Sequence, residues 1–267
     1  SFIPKALSII MLASIFSALL GPNIANFNKD LISGHLFVGS YLSLAVLTFI
    51  PVIFLSFYSP KAELARDKEY KGRGYFKLIS QPSFLQAVVS AAFAYAVMSF
   101  LMTATPINMY VIENYSLNKT GIVIQLHIVS MFLPSLITGN LLRKYGHSKI
   151  IYAGVSFFIL TILLSFLPPS FFNYLFSLVF LGIGWNFLYL SGTGLLVLSY
   201  KEEEKFKAQG FNDILVFSTQ ALASLSAGYM LSMTSWKTMN LIAIPFLILI
   251  VLSSIRADLS KNNKVIN

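Results

Sequence analysis

An ionisable side chain inside a long apolar run marks a place where chemistry is expected, because a charge in hydrocarbon is costly. Asp213 is the acid of this sequence that falls at such a depth. It stands at the start of the apolar run Asn212 to Met233, just after the charged stretch Lys201 to Lys207. Two roles are open to it. Near a helix start it suits the positive end of the helix dipole and can pair with Lys205 or Lys207. As a buried acid, its affinity for a proton rises with desolvation and falls beside a cation, which suits gating or proton coupling. His127 titrates near neutral pH, so it is a second candidate for a proton relay; a hydrogen bond to a neighbouring helix is the alternative. Asn212 and Gln220 share the run of Asp213 and join the gating candidates.

The candidates for solute contact are uncharged. Thr103, Thr105 and Asn108 surround Pro106, which removes one helical hydrogen bond and frees a carbonyl. Gln125 lies two residues before His127. Trp185, Asn186, Tyr189 and Thr193 lie among Gly182, Gly184, Gly192 and Gly194. A Trp face suits a planar solute, and an amide orients it. The glycines fit close helix approach equally well. Glu113 and the run Glu202, Glu203 and Glu204 read as solvated loop charges.

Enzymes fit poorly. There is no cysteine, so thiolate nucleophiles and Cys-held metals are excluded. His35, His127 and His147 fall at different levels and cannot share a metal. Neither H-E-x-x-H, G-x-S-x-G nor a phosphate-binding G-x-x-x-x-G-K-[ST] occurs. No metal or cofactor is expected.

The elements that must hold these residues are membrane helices. The chain has 267 residues, 56% apolar and 11% charged, too few charges for a water-soluble surface. A bilayer core needs roughly 20 apolar residues as helix. Eight runs qualify: Ala6 to Ile24, Leu36 to Phe57, Phe84 to Tyr110, Ile122 to Leu142, Ile150 to Leu167, Tyr174 to Tyr200, Asn212 to Met233 and Met239 to Ile255. Lipid offers backbone groups no partners, so continuous runs of this length must be helical. The second, fifth and eighth lack amides, His and acids in their interiors. They are expected at the periphery, with the others around a shared interior.

With the N-terminus inside, inner loops hold most of the 19 Lys and Arg residues. The outer ones hold Lys29, Lys119 and Lys237. The positive-inside rule then puts both termini in the cytoplasm. The formal charge of +9 thus reflects topology, and no nucleic-acid partner is expected. Residues 58–82 form a basic inner loop, with two helices before it, six helices over 83–256 and a tail at 257–267.

This pattern resembles the major facilitator superfamily of transporters, in which two six-helix halves are joined by a long cytoplasmic loop. Gly139-Asn-Leu-Leu-Arg-Lys-Tyr-Gly-His-Ser-Lys149 is similar to the family's short loop motif, G-x-L-x-D-[RK]-x-G-[RK]-[RK]. Gly139, Leu141, Lys144 and Gly146 match it. Arg143 stands in place of the motif's Asp, which speaks against a carboxylate latch there. Gly21-Pro22 falls where the family's fifth helix often has such a pair. Met102 to Met109, Ile124 to Gly139, and the segments GWNFLYLSGTGLL and QGFNDILVFS resemble bacterial inner-membrane members.

The resemblance implies an all-α membrane fold covering helices five to twelve, with the first four absent. It also implies that the third and sixth runs, the family's seventh and tenth helices, line a central cavity. The function implied is secondary transport of a small organic solute by alternating access, coupled to a proton or ion, in the inner membrane. A receptor or assembly protein on the same scaffold is the alternative. On this reading the 267 residues alone hold half a cavity and do not transport.

Overall fold

In the computed structural model, residues 2–58 and 72–266 are described, and those residues contain helices but no strand. The helices are α1 (Phe2–Phe27), α2 (Val38–Ser56), α3 (Tyr75–Ile79), α4 (Pro82–Ile107), α5 (Leu117–Phe132), α6 (Ser135–Tyr145), α7 (His147–Leu164), α8 (Phe171–Val197), α9 (Lys205–Met233), α10 (Trp236–Ile242) and α11 (Ile244–Ile266). Among the described residues, seven helical stretches are long and apolar enough to cross a membrane, and α1 carries a shorter apolar stretch, Ile15–Phe27.

Local chemistry sets the helix ends. Serines cap three starts: the side chains of Ser116, Ser170 and Ser235 accept from the backbone N–H of Lys119, Asn173 and Thr238. Pro82 begins α4, where a missing N–H costs nothing. Gly146 adopts φ +81° between α6 and α7, a conformation an L side chain resists, which accounts for that glycine in the loop motif.

The helix boundaries differ from expectation in four places. The run Ile122 to Leu142 is two helices, because Pro134 separates α5 from α6. Pro106 does not stop α4; the chain passes from Ile107 into a π-helical turn, Asn108–Ile112, that absorbs the lost hydrogen bond. The last run breaks at Ala243, before Pro245, and then continues as helix to Ile266, so residues expected as a tail extend α11. Within the loop 58–82, residues 75–79 form α3, while Lys61, Arg66, Lys68 and Lys71 lie outside the described residues.

Two helices make the centre. α4 and α8 pack along each other, and most of the stretch Pro82–Ile112 is buried. α7 packs behind α8, and α11 packs on both α4 and α7, closing that side. On the opposite side α5 packs on α8 and α9 on α4, but no comparable packing joins α5 to α9. A cleft floored by α4 and α8 therefore lies between α5 and α9. α1 packs on α5, and α2 on α1.

The expected periphery is seen in α2, which is almost wholly exposed. α7 and α11, also expected at the rim, are instead more buried than α5 and α9, because they pack against the central pair and each other. The most exposed helix of the six is α9, with 17% of its apolar stretch buried.

The seams depend on absent side chains. A Cβ on Gly192 would lie 2.7 Å from the Ala87 carbonyl oxygen and 3.0 Å from the Ala91 nitrogen. On Gly182 it would lie 2.0 Å from Ser130 Oγ and 2.7 Å from the His127 oxygen. The obstacles are largely backbone, which cannot swing aside, so the small residues permit the contact. Gly192→Ala is expected to destabilise the bundle by about 1–3 kcal/mol, the usual cost of overpacking. Thermal unfolding in detergent checks this, with Gly210→Ala, in open space within α9, expected to keep or slightly raise stability.

Candidate functional site

The floor of the cleft is aromatic. Trp185 and Tyr189 are one turn apart on α8, which places them on the same face. Their rings stack, with centroids 5.0 Å apart and planes at 12°. Tyr95 of α4 stands edge-on to both, 5.1 Å from Trp185 at 87° and 5.0 Å from Tyr189 at 85°. Phe132 at the end of α5 reaches Trp185 at 6.0 Å, and Phe217 of α9 reaches Tyr95 at 6.3 Å. Four helices thus contribute to one group of rings in mutually favourable geometry.

Hydrogen-bonding groups border the rings. Trp185 is 3% exposed, and its indole N–H has no partner among the described residues. Buried indole N–H groups normally find an acceptor. Thr193 lies beside the Tyr189 hydroxyl, one turn further along α8. On α9, Asp213, Phe217, Gln220 and Ser224 recur at helical spacing, so they share a face. That face meets the cleft: Asp213 is within electrostatic reach of Tyr189, and Ser224 Oγ lies 3.1 Å from Thr103 Oγ1 on α4.

Other candidates lie elsewhere, for identifiable reasons. Asn186 points away from Trp185, since consecutive helical residues diverge. Its Nδ2 donates to the Met131 carbonyl and to Ser135 Oγ, both at 2.6 Å, and its Oδ1 accepts from Thr138 Oγ1 at 2.7 Å. These bonds fasten α8 to the α5–α6 break and leave little for a solute, so the expectation that it orients one is corrected. Thr105 is wholly buried and bonds the Leu101 carbonyl of its own helix. Asn108 donates to the Tyr174 hydroxyl and borders a cavity of about 500 Å³ at the far end of the bundle, with Glu113 and Trp236.

His127 is fully buried between α5 and α8, with Nδ1 2.7 Å from the Leu178 carbonyl oxygen. This is the helix-to-helix hydrogen bond that was its alternative reading. Gln125 turns towards α1 and lines a cavity of about 560 Å³ with Pro22, Asn23 and Asn118. Gly21 faces open space, as does Gly139. Arg143 donates to Asn140, and Lys144 lies over the Tyr145 ring, so both remain on α6.

Asp213 is exposed on α9 rather than buried, and accepts from Asn212 Nδ2 at 3.2 Å. Asn212 itself is buried. The two lysines considered as partners of Asp213 have other contacts: Lys205 lies 3.7 Å from Glu202, and Lys207 Nζ donates to the Arg73 carbonyl.

Several residues escaped the sequence reading. Tyr95 had one visible signal, a lone phenol among Ala91, Ala92, Ala94 and Ala96. Glu204 is 1% exposed and bonded to Arg73, where a solvated acid was expected. Asp258 accepts from Ser148 Oγ at 2.6 Å and from the Tyr152 hydroxyl at 3.2 Å, tying α11 to α7. These pairings join residues far apart in the chain, and no local pattern announces them.

A profile of the Major Facilitator Superfamily matches residues 88–265. The chain belongs to that superfamily. It is a multi-pass membrane protein, as its seven apolar helical stretches require. It is similar to the "Riboflavin transporter RfnT" of Brucella anthropi, with 33% identity over 92% of this chain and 62% of the relative. It is also similar to two "Uncharacterized MFS-type" transporters of Bacillus subtilis, YddS and YdeG. Each is 28% identical, over 88% and 89% of this chain and 58% and 59% of the relative. The chain therefore spans about three fifths of the length of these curated relatives.

Replacing Asn186 should separate packing from solute contact. Asn186→Ala strands the Met131 carbonyl and two hydroxyls, so a loss of about 1–3 kcal/mol of stability is expected. The affinity of the cleft for any solute should stay within about twofold, under about 0.5 kcal/mol. Melting and ligand titration of the purified variant check the two halves of this statement.

Proposed function

We propose that this protein is a secondary transporter whose solute is a small planar aromatic molecule bound in the cleft between α5 and α9. The observation that carries this reading is the Trp185–Tyr189 stack with Tyr95 edge-on to both rings. The half-buried Tyr95 and Tyr189 rings offer a flat ring contact at low entropy cost, and the buried Trp185 ring backs them. The relative named as a riboflavin transporter supports the same class of solute, and makes riboflavin the first probe to use.

Alternating access supplies the mechanism. The α7–α11 side is closed by packing, whereas the α5–α9 side is open, so the cleft is exposed or covered by whatever closes against α5 and α9. Coupling to a proton or another ion is assigned to Asp213, with Asn212 and Gln220 on the same helix. His127 is left to fasten α5 to α8. The basic residues gather at the end bearing the α6–α7 and α8–α9 turns, which supports an inner-membrane orientation with both termini cytoplasmic.

Uptake of labelled riboflavin by proteoliposomes containing the native protein tests the solute. Trp185→Ala is expected to raise KM about tenfold, equivalent to about 1.4 kcal/mol. An unchanged KM would remove the stack from the site.

The same vesicles test coupling. Asp213→Asn should abolish the stimulation of uptake by an imposed proton or ion gradient while leaving exchange of solute across the membrane. Native stimulation in that variant would take Asp213 out of the mechanism.

A further inference from the structure

The segment that enters α4 is bound to the base of α9 by an unusually dense set of contacts. The Glu204 carboxylate, at the turn before α9, accepts four close hydrogen bonds. Arg73 supplies three of them: its backbone N–H at 2.9 Å, and Nε and Nη2 at 2.6 Å each. The backbone N–H of Lys201 supplies the fourth, at 2.9 Å. A two-pronged guanidinium–carboxylate bond fixes orientation as well as distance. Pairing with Glu204 pushes the Arg73 guanidinium still further above its ordinary value, so its charge is permanent.

The first turn of α9 returns the contact. Lys207 Nζ donates to the Arg73 carbonyl at 2.8 Å and lies 4.5 Å from the centre of the Tyr75 ring. Tyr75 and Phe84 both meet Phe211 of α9, at 6.0 and 6.1 Å. Beneath them Leu78, Phe84, Leu195, Leu196 and Ala208 form a small buried core of their own. Residues 72–81 are thus not slack linker, and the first two turns of α9 are gripped by them. Asp213 and Phe217 follow directly on the same rigid helix.

We propose that Arg73, Glu204 and Lys207 form a brace that positions the α9 wall of the cleft, with Glu204 as the positioning residue at its centre. α9 has little other support on its α8 side, since α8 and α9 barely pack beyond their shared turn. Its lateral position therefore depends on α4 and on this brace. A displacement of residues 72–81 is thereby carried to the base of α9, and so to the edge of the aromatic site.

The chain has two tryptophans, Trp185 and Trp236, so Trp236→Phe leaves Trp185 as the sole emitter, on the cleft floor. In that background Arg73→Ala and Glu204→Gln should each raise acrylamide quenching of Trp185 several-fold. Arg73→Lys, which keeps the charge but loses the fork, should fall between them and the parent. Lys205→Ala, whose ion pair is exposed, should leave quenching unchanged. In riboflavin uptake, the brace variants should raise KM several-fold more than they lower the maximal rate. Only this uptake arm rests on the transporter reading. If riboflavin is not carried, that reading loses its probe while quenching still decides the brace. Parental quenching in folded Glu204→Gln and Arg73→Lys protein, even with a lowered melting temperature, would overturn the proposal.

Discussion

Everything else in the fold hangs on the close contact between α4 and α8. At Gly192 the two backbones come near enough that one added carbon would strike the Ala87 carbonyl. Lipid gives helices no hydrophobic reason to associate, so the contact must come from packing and hydrogen bonds. Once the pair is formed, α7 and α11 close one side and α5 and α9 flank the other. The cleft is then a consequence of arithmetic: four flanking helices around two, with only one flanking pair in contact. The same approach of α4 to α8 brings Tyr95 edge-on to Trp185 and Tyr189.

Polar groups divide by their distance from that seam. Asn186, Thr138 and His127 are consumed in fastening α5 and α6 to α8, and Ser130 bonds the His127 carbonyl of its own helix. Gln86, Ser148 and Asp258 fasten α4, α7 and α11 at the basic end. Each satisfies a backbone or side-chain group that lipid would leave bare, which is the ordinary use of polarity in a membrane bundle. Asp213 and the Thr103–Ser224 pair border the cleft instead. What distinguishes them is which face of their helix they occupy.

That distinction explains how much was readable in advance. The helical class, the breaks in apolarity and the superfamily followed from run length, charge placement and short motifs, all of them local or additive properties. Trp185 and Asn186 show the limit. Adjacent in sequence and alike in depth, they diverge by the angle between consecutive helical residues, one entering the aromatic floor and the other a buried amide clamp. Composition assigns both to membrane depth, whereas only the azimuth of α8, set by packing at Gly182 and Gly192, separates them. Glu204 failed differently. Its neighbours Glu202 and Glu203 are the solvated acids the run suggested, whereas Glu204 turns inward to Arg73, 131 positions earlier, and to the Lys201 backbone N–H.

The position of Asp213 follows from both lessons. Its helix is held at the base by Glu204 and along its length by α4, while its cleft face is uncovered among the described residues. An exposed carboxylate with one amide neighbour can change partners without disturbing the packed seam, whereas a buried, fully bonded one cannot. A group that must change state during transport is better placed at such an edge than in the packed seam. There Asn186 and His127 are locked by bonds whose loss would cost the fold itself. Structure and chemistry therefore part along the same line, with bonded polarity behind the rings and unspent polarity in front of them.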